Sequence, residues 1–293
     1  MLGQKLLDSY FPIGARYMTL SALGFSLMAV CVKEVSTYGI PVLQIIAARA
    51  IVSLIISYLD IKRKGISVWG NDKGLLIARG VAGSFALICV YFVVTTLPLA
   101  EATLIQYLYP AFTAIIALIF LKEHLHISSI LCISLSLIGL LIIINPDMSF
   151  TEGFALPWFN VFIGLLGALG TAVAYVLVKR LSKNEDSSVI IFYFPLIALP
   201  LSIILPGESF VIPDVPALIL LLLVGVFTQV GQVGLTKAFA SELVSKATAY
   251  SYVQIIFSII FGWILFAEIP SFWTWIGGIF IVSGILINTL WKK

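Results

Sequence analysis

Polar residues in this chain are confined to short intervals between long apolar runs, and the runs have the length of membrane-crossing helices. A hydrocarbon core of about 30 Å needs roughly 20 helical residues. On that scale the pattern predicts ten spans, at 17–35, 40–59, 74–96, 99–121, 128–144, 159–178, 188–205, 216–237, 247–266 and 273–291. The intervals carry helix breakers: Pro41, Pro98, Asn145 with Pro146, Pro206 with Gly207, Pro213, Pro216 and Pro270. The expected fold class is all-α integral membrane, with ten transmembrane helices.

The pattern also repeats. Ala102, Thr103, Tyr107, Glu123 and Gly139 recur as Ala247, Thr248, Tyr252, Glu268 and Gly284, each pair 145 positions apart. Spans 1 and 6 match at an offset of 146, with Gly24, Val30, Val32 and Lys33 against Gly170, Val176, Val178 and Lys179. Spans 3 and 8 return to 145, through Gly80 and Val81 against Gly225 and Val226. This predicts two repeats, 1–146 (spans 1–5) and 147–293 (spans 6–10), which together form one transmembrane domain. A unit with an odd number of spans must place its second copy upside down, so the repeats are expected to be inverted, as in many secondary transporters.

Charge placement sets the expected orientation. With both termini in the cytoplasm, the inner side holds Lys5, Arg16, Lys62, Arg63, Lys64, Lys73, Lys122, Lys179, Arg180, Lys183, Lys237, Lys246, Lys292 and Lys293. Lys33 alone lies outside, and Arg79 is expected to snorkel from the inner end of span 3. The first span is expected to act as an uncleaved anchor. The piece before it, with Leu2, Leu6 and Tyr10 on one side, is expected to lie along the inner membrane surface.

Composition excludes most other classes. The chain is 61% hydrophobic and 11% charged, with a mean hydropathy of +1.12. A soluble domain has about 45–50% and 25%, so this excess cannot be a core alone. The net charge of +3 includes no basic run interleaved with aromatics, so no nucleic-acid partner is expected. Cys31, Cys89 and Cys132 fall inside apolar runs and read as small hydrophobes. No phosphate-binding Gly-rich Lys loop and no Ser/His/Asp set is present. His124 and His126 are too isolated for a metal site. No catalytic residue, metal or cofactor is expected.

The polar residues inside spans are then the informative ones. Arg49 stands near the middle of span 2, where a cation costs about 2.5–3.5 kcal/mol and needs a cavity or a partner. It is read either as a fixed cation for an anionic substrate group or as a tie between helices, held by backbone carbonyls or Glu101. Ser53 and Ser57 continue its face. Span 4 carries Thr103, Gln106, Tyr107, Pro110, Thr113 and Ala117 on one stripe; span 9 carries Thr248, Ser251, Tyr252, Ile255, Ser258 and Gly262. Such stripes are expected to turn away from lipid, with Gln and Tyr members lining a cavity and Thr and Ser members packing. Pro110 is expected to sit within its helix and free the carbonyl of Gln106. Gln229 and Gln232 in span 8 and Tyr91 in span 3 complete the inward polar set, with Tyr175, Tyr250 and Phe25 as added aromatic walls. Glu101 is the candidate for coupling, or else an exposed charge capping the first turn of span 4.

The residues Leu97, Pro98, Leu99, Ala100, Glu101, Ala102 and Thr103, then Tyr107, Leu108, Tyr109 and Pro110, then Leu121, Lys122 and Glu123, resemble span 4 of the drug/metabolite transporter superfamily, EamA type. Ala247 with Thr248 and Ala267 with Glu268 resemble the second repeat of that family. The resemblance implies a ten-helix carrier with a cavity built from spans 1, 3, 4, 6, 8 and 9 and with spans 5 and 10 peripheral. It usually implies export of amino acids or related metabolites.

The expected function is therefore secondary transport of small organic metabolites, such as amino acids or related carboxylated solutes, by export or exchange. The expected substrate contacts are Arg49, Tyr91, Gln106, Tyr107, Pro110, Gln229, Gln232, Ser251 and Tyr252. The partners expected are the small-molecule substrate and membrane lipid, and the chain is expected to be a monomer or homodimer in a bacterial inner membrane. A membrane-embedded enzyme or a channel-like facilitator is the alternative.

Overall fold

The computed structural model describes residues 12–96, 105–144, 157–204, 210–267 and 269–291. Within them the chain forms helices α1 (Ile13–Ser36), α2 (Val42–Lys64), α3 (Lys73–Thr96), α4 (Tyr109–Leu121), α5 (Ile127–Ile144), α6 (Trp158–Leu181), α7 (Ser187–Ile204), α8 (Val215–Ser241), α9 (Val244–Phe266) and α10 (Phe272–Leu290), with no strand among the described residues. Eight of these are long and apolar enough to cross a membrane; α4 and α5 are shorter apolar helices. The N-terminal piece expected along the membrane surface, and Glu101, lie outside the described residues.

Local chemistry explains where helices start and stop. Asp214 caps α8 by accepting from the Ala217 N–H at 2.9 Å, and Pro216 occupies the first turn, where no donor is needed. Ser271 caps α10 in the same way through Thr274. α2 ends on Gly65 in the left-handed region, with Lys62, Arg63 and Lys64 against the negative end of its dipole.

The 145-residue offset of the sequence also appears in backbone detail. Among the described residues, the two non-glycine residues at positive φ are Lys122 (54°) and Ala267 (53°), which end α4 and α9 and stand 145 positions apart. The helical path also breaks near Tyr107 and near its counterpart Tyr252. A turn at Tyr107–Leu108 precedes α4, and a 3₁₀ turn at Tyr250–Tyr252 divides α9. The helix pairings obey the same exchange: α1 packs on α8 as α6 packs on α3, α2 on α8 as α7 on α3, and α4 on α6 as α9 on α1. The pairs α2 with α7 and α5 with α10 map onto themselves.

Small residues allow these approaches. A Cβ on Gly139 would stand 2.5 Å from the carbonyl oxygen of Gly277, and one on Gly277 2.3 Å from that of Gly139. The backbones of α5 and α10 therefore touch, as helices in membranes do where side chains are small.

Successive helices alternate in direction, so one end of the bundle gathers the start of α1, the end of α2, the start of α3 and their equivalents. That end holds Arg16, Lys62, Arg63, Lys64, Lys73, Lys122, Lys179, Arg180, Lys183, Lys237 and Lys246; Lys33 ends α1 at the other. The basic end is sealed by one apolar cluster drawing on eight helices, including Met18, Ile61, Leu76, Ala117, Leu181, Ile190, Phe239 and Val244. At the opposite end the buried apolar residues fall into two separate clusters. One contains Cys31, Val35, Ile45, Leu221 and Val224; the other contains Val93 and Ile105.

Polar links reinforce the sealed end. Lys64 Nζ donates to Asp186 Oδ1 at 2.8 Å and pairs with Asp60 at 2.9 Å. Glu185 accepts the backbone N–H groups of Asn71 and Asp72 before α3. Lys179 donates to the carbonyl oxygens of Phe239 (2.8 Å) and Glu242 (2.6 Å) at the end of α8, where a cation suits the dipole. Glu123 accepts the Val244 N–H at 2.8 Å at the start of α9.

Candidate functional site

A cavity of about 180 Å³ lies at mid-height between the two halves, room for on the order of ten waters or one small metabolite. Helical spacing brings its walls together. α3 presents Arg79, Gly83, Ala86, Leu87 and Val90 along one face, α6 presents Thr171, Ala174 and Tyr175, and α1 presents Phe25 and Met28. Arg49, Phe194, Gln232 and Gln254 enter from α2, α7, α8 and α9, Gln106 and Tyr107 from the segment before α4, and Tyr109 from the first residue of α4.

Two cations define its electrostatics. The guanidinium carbons of Arg49 and Arg79 stand 5.4 and 5.0 Å from the ring centroid of Phe194, in cation–π geometry. They are therefore no farther than about 10 Å apart, and at an effective dielectric constant near 20 they repel by at least about 1.5 kcal/mol. No carboxylate lines the cavity among the described residues. Arg49 Nη1 also contacts Met28 Sδ at 3.9 Å. Arg79 is 3% exposed; its Nη2 reaches Gln232 Oε1 at 3.4 Å, while Nε and Nη1 have no partner among the described residues.

Aromatic contacts close the floor toward the sealed end. Tyr109 meets Tyr175 edge-on at 5.4 Å, and Tyr175 meets Phe239 at 5.2 Å. Tyr107 stacks on Tyr252 at 5.9 Å, and the Tyr252 hydroxyl donates to the Tyr107 carbonyl at 3.1 Å. These two tyrosines stand 145 positions apart, at matching places in the two halves of the sequence.

Of the residues expected to contact substrate, Arg49, Gln106, Tyr107 and Gln232 converge on this cavity. Gln229 is placed elsewhere: its Oε1 accepts from Ser53 at 2.6 Å and its Nε2 donates to Ser57 at 2.9 Å, which joins α2 to α8. Ser251 accepts from the Tyr109 hydroxyl at 2.6 Å and donates to the Thr248 carbonyl at 2.6 Å. Tyr252 is fully buried behind Tyr107. The Tyr91 side chain and Glu101 lie outside what the structure describes.

Two expectations need correction. Pro110 does not interrupt a continuous helix. It occupies the first turn of α4, just after the turn at Tyr107–Leu108, where a missing N–H costs nothing. Arg79 does not snorkel to the surface; it is buried against Phe194, over Gly83, whose hydrogen leaves room that a Cβ would fill at 2.4 Å from Nη1. The expected set also lacked Tyr109, Phe194 and Gln254. Tyr109 and Phe194 are aromatic residues in apolar surroundings and carry no periodic signal of their own. Among the described residues, no group of three or more His, Cys, Asp or Glu side chains forms a metal-ligand set.

The comparisons with known proteins agree with this architecture. A crystal structure of 16% identity matches the fold with a TM-score of 0.82 over 94% of this chain and 96% of its own. The pseudopaline exporter CntI of Pseudomonas aeruginosa is 29% identical over 96% of this chain and 97% of its own length. Solute carrier family 35 member G1 of Mus musculus is 31% identical, covering 91% of this chain and 75% of that protein. The model of the EamA-like transporter family matches twice, at residues 12–145 and 158–290. The chain is thus a multi-pass membrane transporter rather than an enzyme, and it belongs to the EamA-like transporter family.

Proposed function

We propose that the protein is a secondary transporter that moves small carboxylated metabolites, such as amino acids or related organic acids, out of the cell or in exchange, by alternating access. The observation that carries this reading is the polar cavity halfway through an apolar bundle, walled by helices of both halves and sealed at one end by a shared core. Ten helices arranged as two inverted five-helix repeats would rock about the axis beside Tyr107 and Tyr252 and expose the cavity to each side in turn. Arg49 would attract an anionic group, and Gln106, Tyr107, Gln232 and Gln254 would orient the remainder. Basic residues favour the cytoplasmic side, so the sealed basic end is the inner one and the conformation faces outward. Both termini are then cytoplasmic, in an inner-membrane protein acting as a monomer or homodimer.

Counterflow in proteoliposomes tests this. Vesicles loaded in turn with amino acids, organic acids, nucleosides and polyamines should accumulate a labelled carboxylated solute against its gradient, saturably, and Arg49→Ala should abolish the accumulation. Linear, non-saturable flux would point to a channel. Counterflow unchanged by Arg49→Ala would remove Arg49 from the site.

A further inference from the structure

We propose that Arg79 anchors the acid group of the transported solute, so that a monoacid binds with its carboxylate at the deep end of the cavity and its carbon chain toward the open end. This rests on the carrier reading above and adds the anchoring residue and the orientation; it does not depend on what Arg49 holds. Arg79 is 3% exposed and lines the cavity, and its Nε and Nη1 have no partner among the described residues. Its Nη2 reaches a neutral acceptor, Gln232 Oε1, at 3.4 Å. A buried cation with donors to spare is costly unless an acceptor arrives, and a carboxylate is an acceptor that also balances the charge. The described lining offers none, and the solute brings it.

The cavity is graded along α3. Leu76, one turn before Arg79, belongs to the apolar cluster that seals the basic end. Gly83, Ala86, Leu87 and Val90 follow Arg79 on the lining face, with Val90 about 16 Å farther along the helix. Phe194 covers the guanidinium with its ring face at 5.0 Å, and Gly83 leaves room for Nη1, which stands 2.4 Å from where a Cβ would lie. These contacts fix the cation without neutralising it. Phe25 and Met28 of α1 add apolar wall. A carboxylate held by Arg79 leaves its chain to run past Leu87 and Val90, so affinity rises as a longer chain covers more apolar surface.

The test is ligand-dependent thermal stabilisation of the purified full chain, with acetate, butyrate and hexanoate each set against its own amide, and with inorganic phosphate. Acid and amide share a shape and differ in charge, so their ratio reads the cation and cancels the fit of the chain. Hexanoate should half-saturate at a concentration about tenfold or more below that of hexanamide. The acids should tighten by up to about fourfold for each CH2 added. Arg79→Gln should bring acid and amide to the same value and leave the amide where it was. Arg79→Lys should keep part of the ratio, and Gly83→Ala, which retains the arginine but displaces Nη1, should narrow it. Equal binding of acids and amides to the unaltered protein, or no stabilisation by any acid, would overturn the inference. So would a ratio that survives Arg79→Gln, acids that bind alike whatever their chain length, or phosphate binding tighter than every acid. Each of these results leaves the carrier reading standing, because that reading is decided by counterflow, and a failure of counterflow leaves the ratio unaffected.

Discussion

Gln229 and Gln232 stand three residues apart on α8, yet the structure gives them different tasks, and leucine at each position separates the two. Gln229 makes interhelical hydrogen bonds to Ser53 (2.6 Å) and Ser57 (2.9 Å) and does not line the cavity. Such bonds in membranes average about 0.6 kcal/mol, with a maximum near 1.7. Gln229→Leu should therefore cost about 1–2 kcal/mol, partly because the two serines can turn to carbonyls of their own helix. At roughly 2–4 °C per kcal/mol for a chain of this size, the melting temperature should drop by roughly 2–8 °C. Substrate affinity should stay the same. Gln232 lines the cavity and has one long bond. Gln232→Leu should leave the ligand-free melting temperature within about a degree and weaken binding by roughly tenfold, the worth of one hydrogen bond to a polar ligand. Thermal unfolding of the purified protein, with and without substrate, reads both quantities. Combining Ser53→Ala with Gln229→Leu should give a cost smaller than the two costs added. If Gln229→Leu left stability untouched and weakened binding instead, the division of labour along α8 would be wrong.

Further outcomes follow from the sealed end and the helix contacts. Asp186 lies outside the spans. Burial pushes its carboxyl upward, but hydrogen bonds from Lys64 and Ser188 outweigh this and hold it below its ordinary value. The stability it supplies is thus full above the unfolded value of about 3.9 and is lost as pH falls through the lower folded value. The melting temperature of the unaltered protein should fall more steeply below about pH 4 than that of Asp186→Asn, and parallel curves would refute the sign. Gly277→Val places a branched side chain where a Cβ already lies 2.3 Å from the Gly139 carbonyl; it should cost about 1–3 kcal/mol, visible as a lowered melting temperature. Lys179→Met removes two bonds to the end of α8. It should destabilise by about 1–2 kcal/mol and speed proteolysis at the α8–α9 junction.

Much of the architecture was legible because apolar run length and a 145-residue offset are coarse signals that packing does not scramble. The expectation of a duplicated carrier followed from them, and the family from the resemblance of residues 97–123 to the EamA type. Tyr107 and Tyr252 were paired by spacing and do stack. Arg49, Gln106 and Gln232 stood out because a polar side chain in an apolar run has few places to go. What sequence could not resolve was direction within a face. Gln229 and Gln232 are about 60° apart on the helix, close enough to share a stripe, yet only one reaches the cavity. Arg79 was misread because it lies six residues after Lys73, near a basic helix start where snorkelling is common; only the tertiary placement of Phe194 and Gly83 shows that it turns inward. Pro110 was read against an unbroken span, and the turn at Tyr107–Leu108 depends on tyrosine packing across the halves.

The crossed pairing of helices has a consequence for assembly. Since α1 lies on α8 and α3 on α6, each half keeps its apolar flank covered only by borrowing from the other. A polypeptide of one half would have no way to bury that flank alone. Cutting the chain between Pro146 and Trp158 and co-expressing the fragments should therefore rebuild the carrier, whereas neither fragment expressed singly should accumulate.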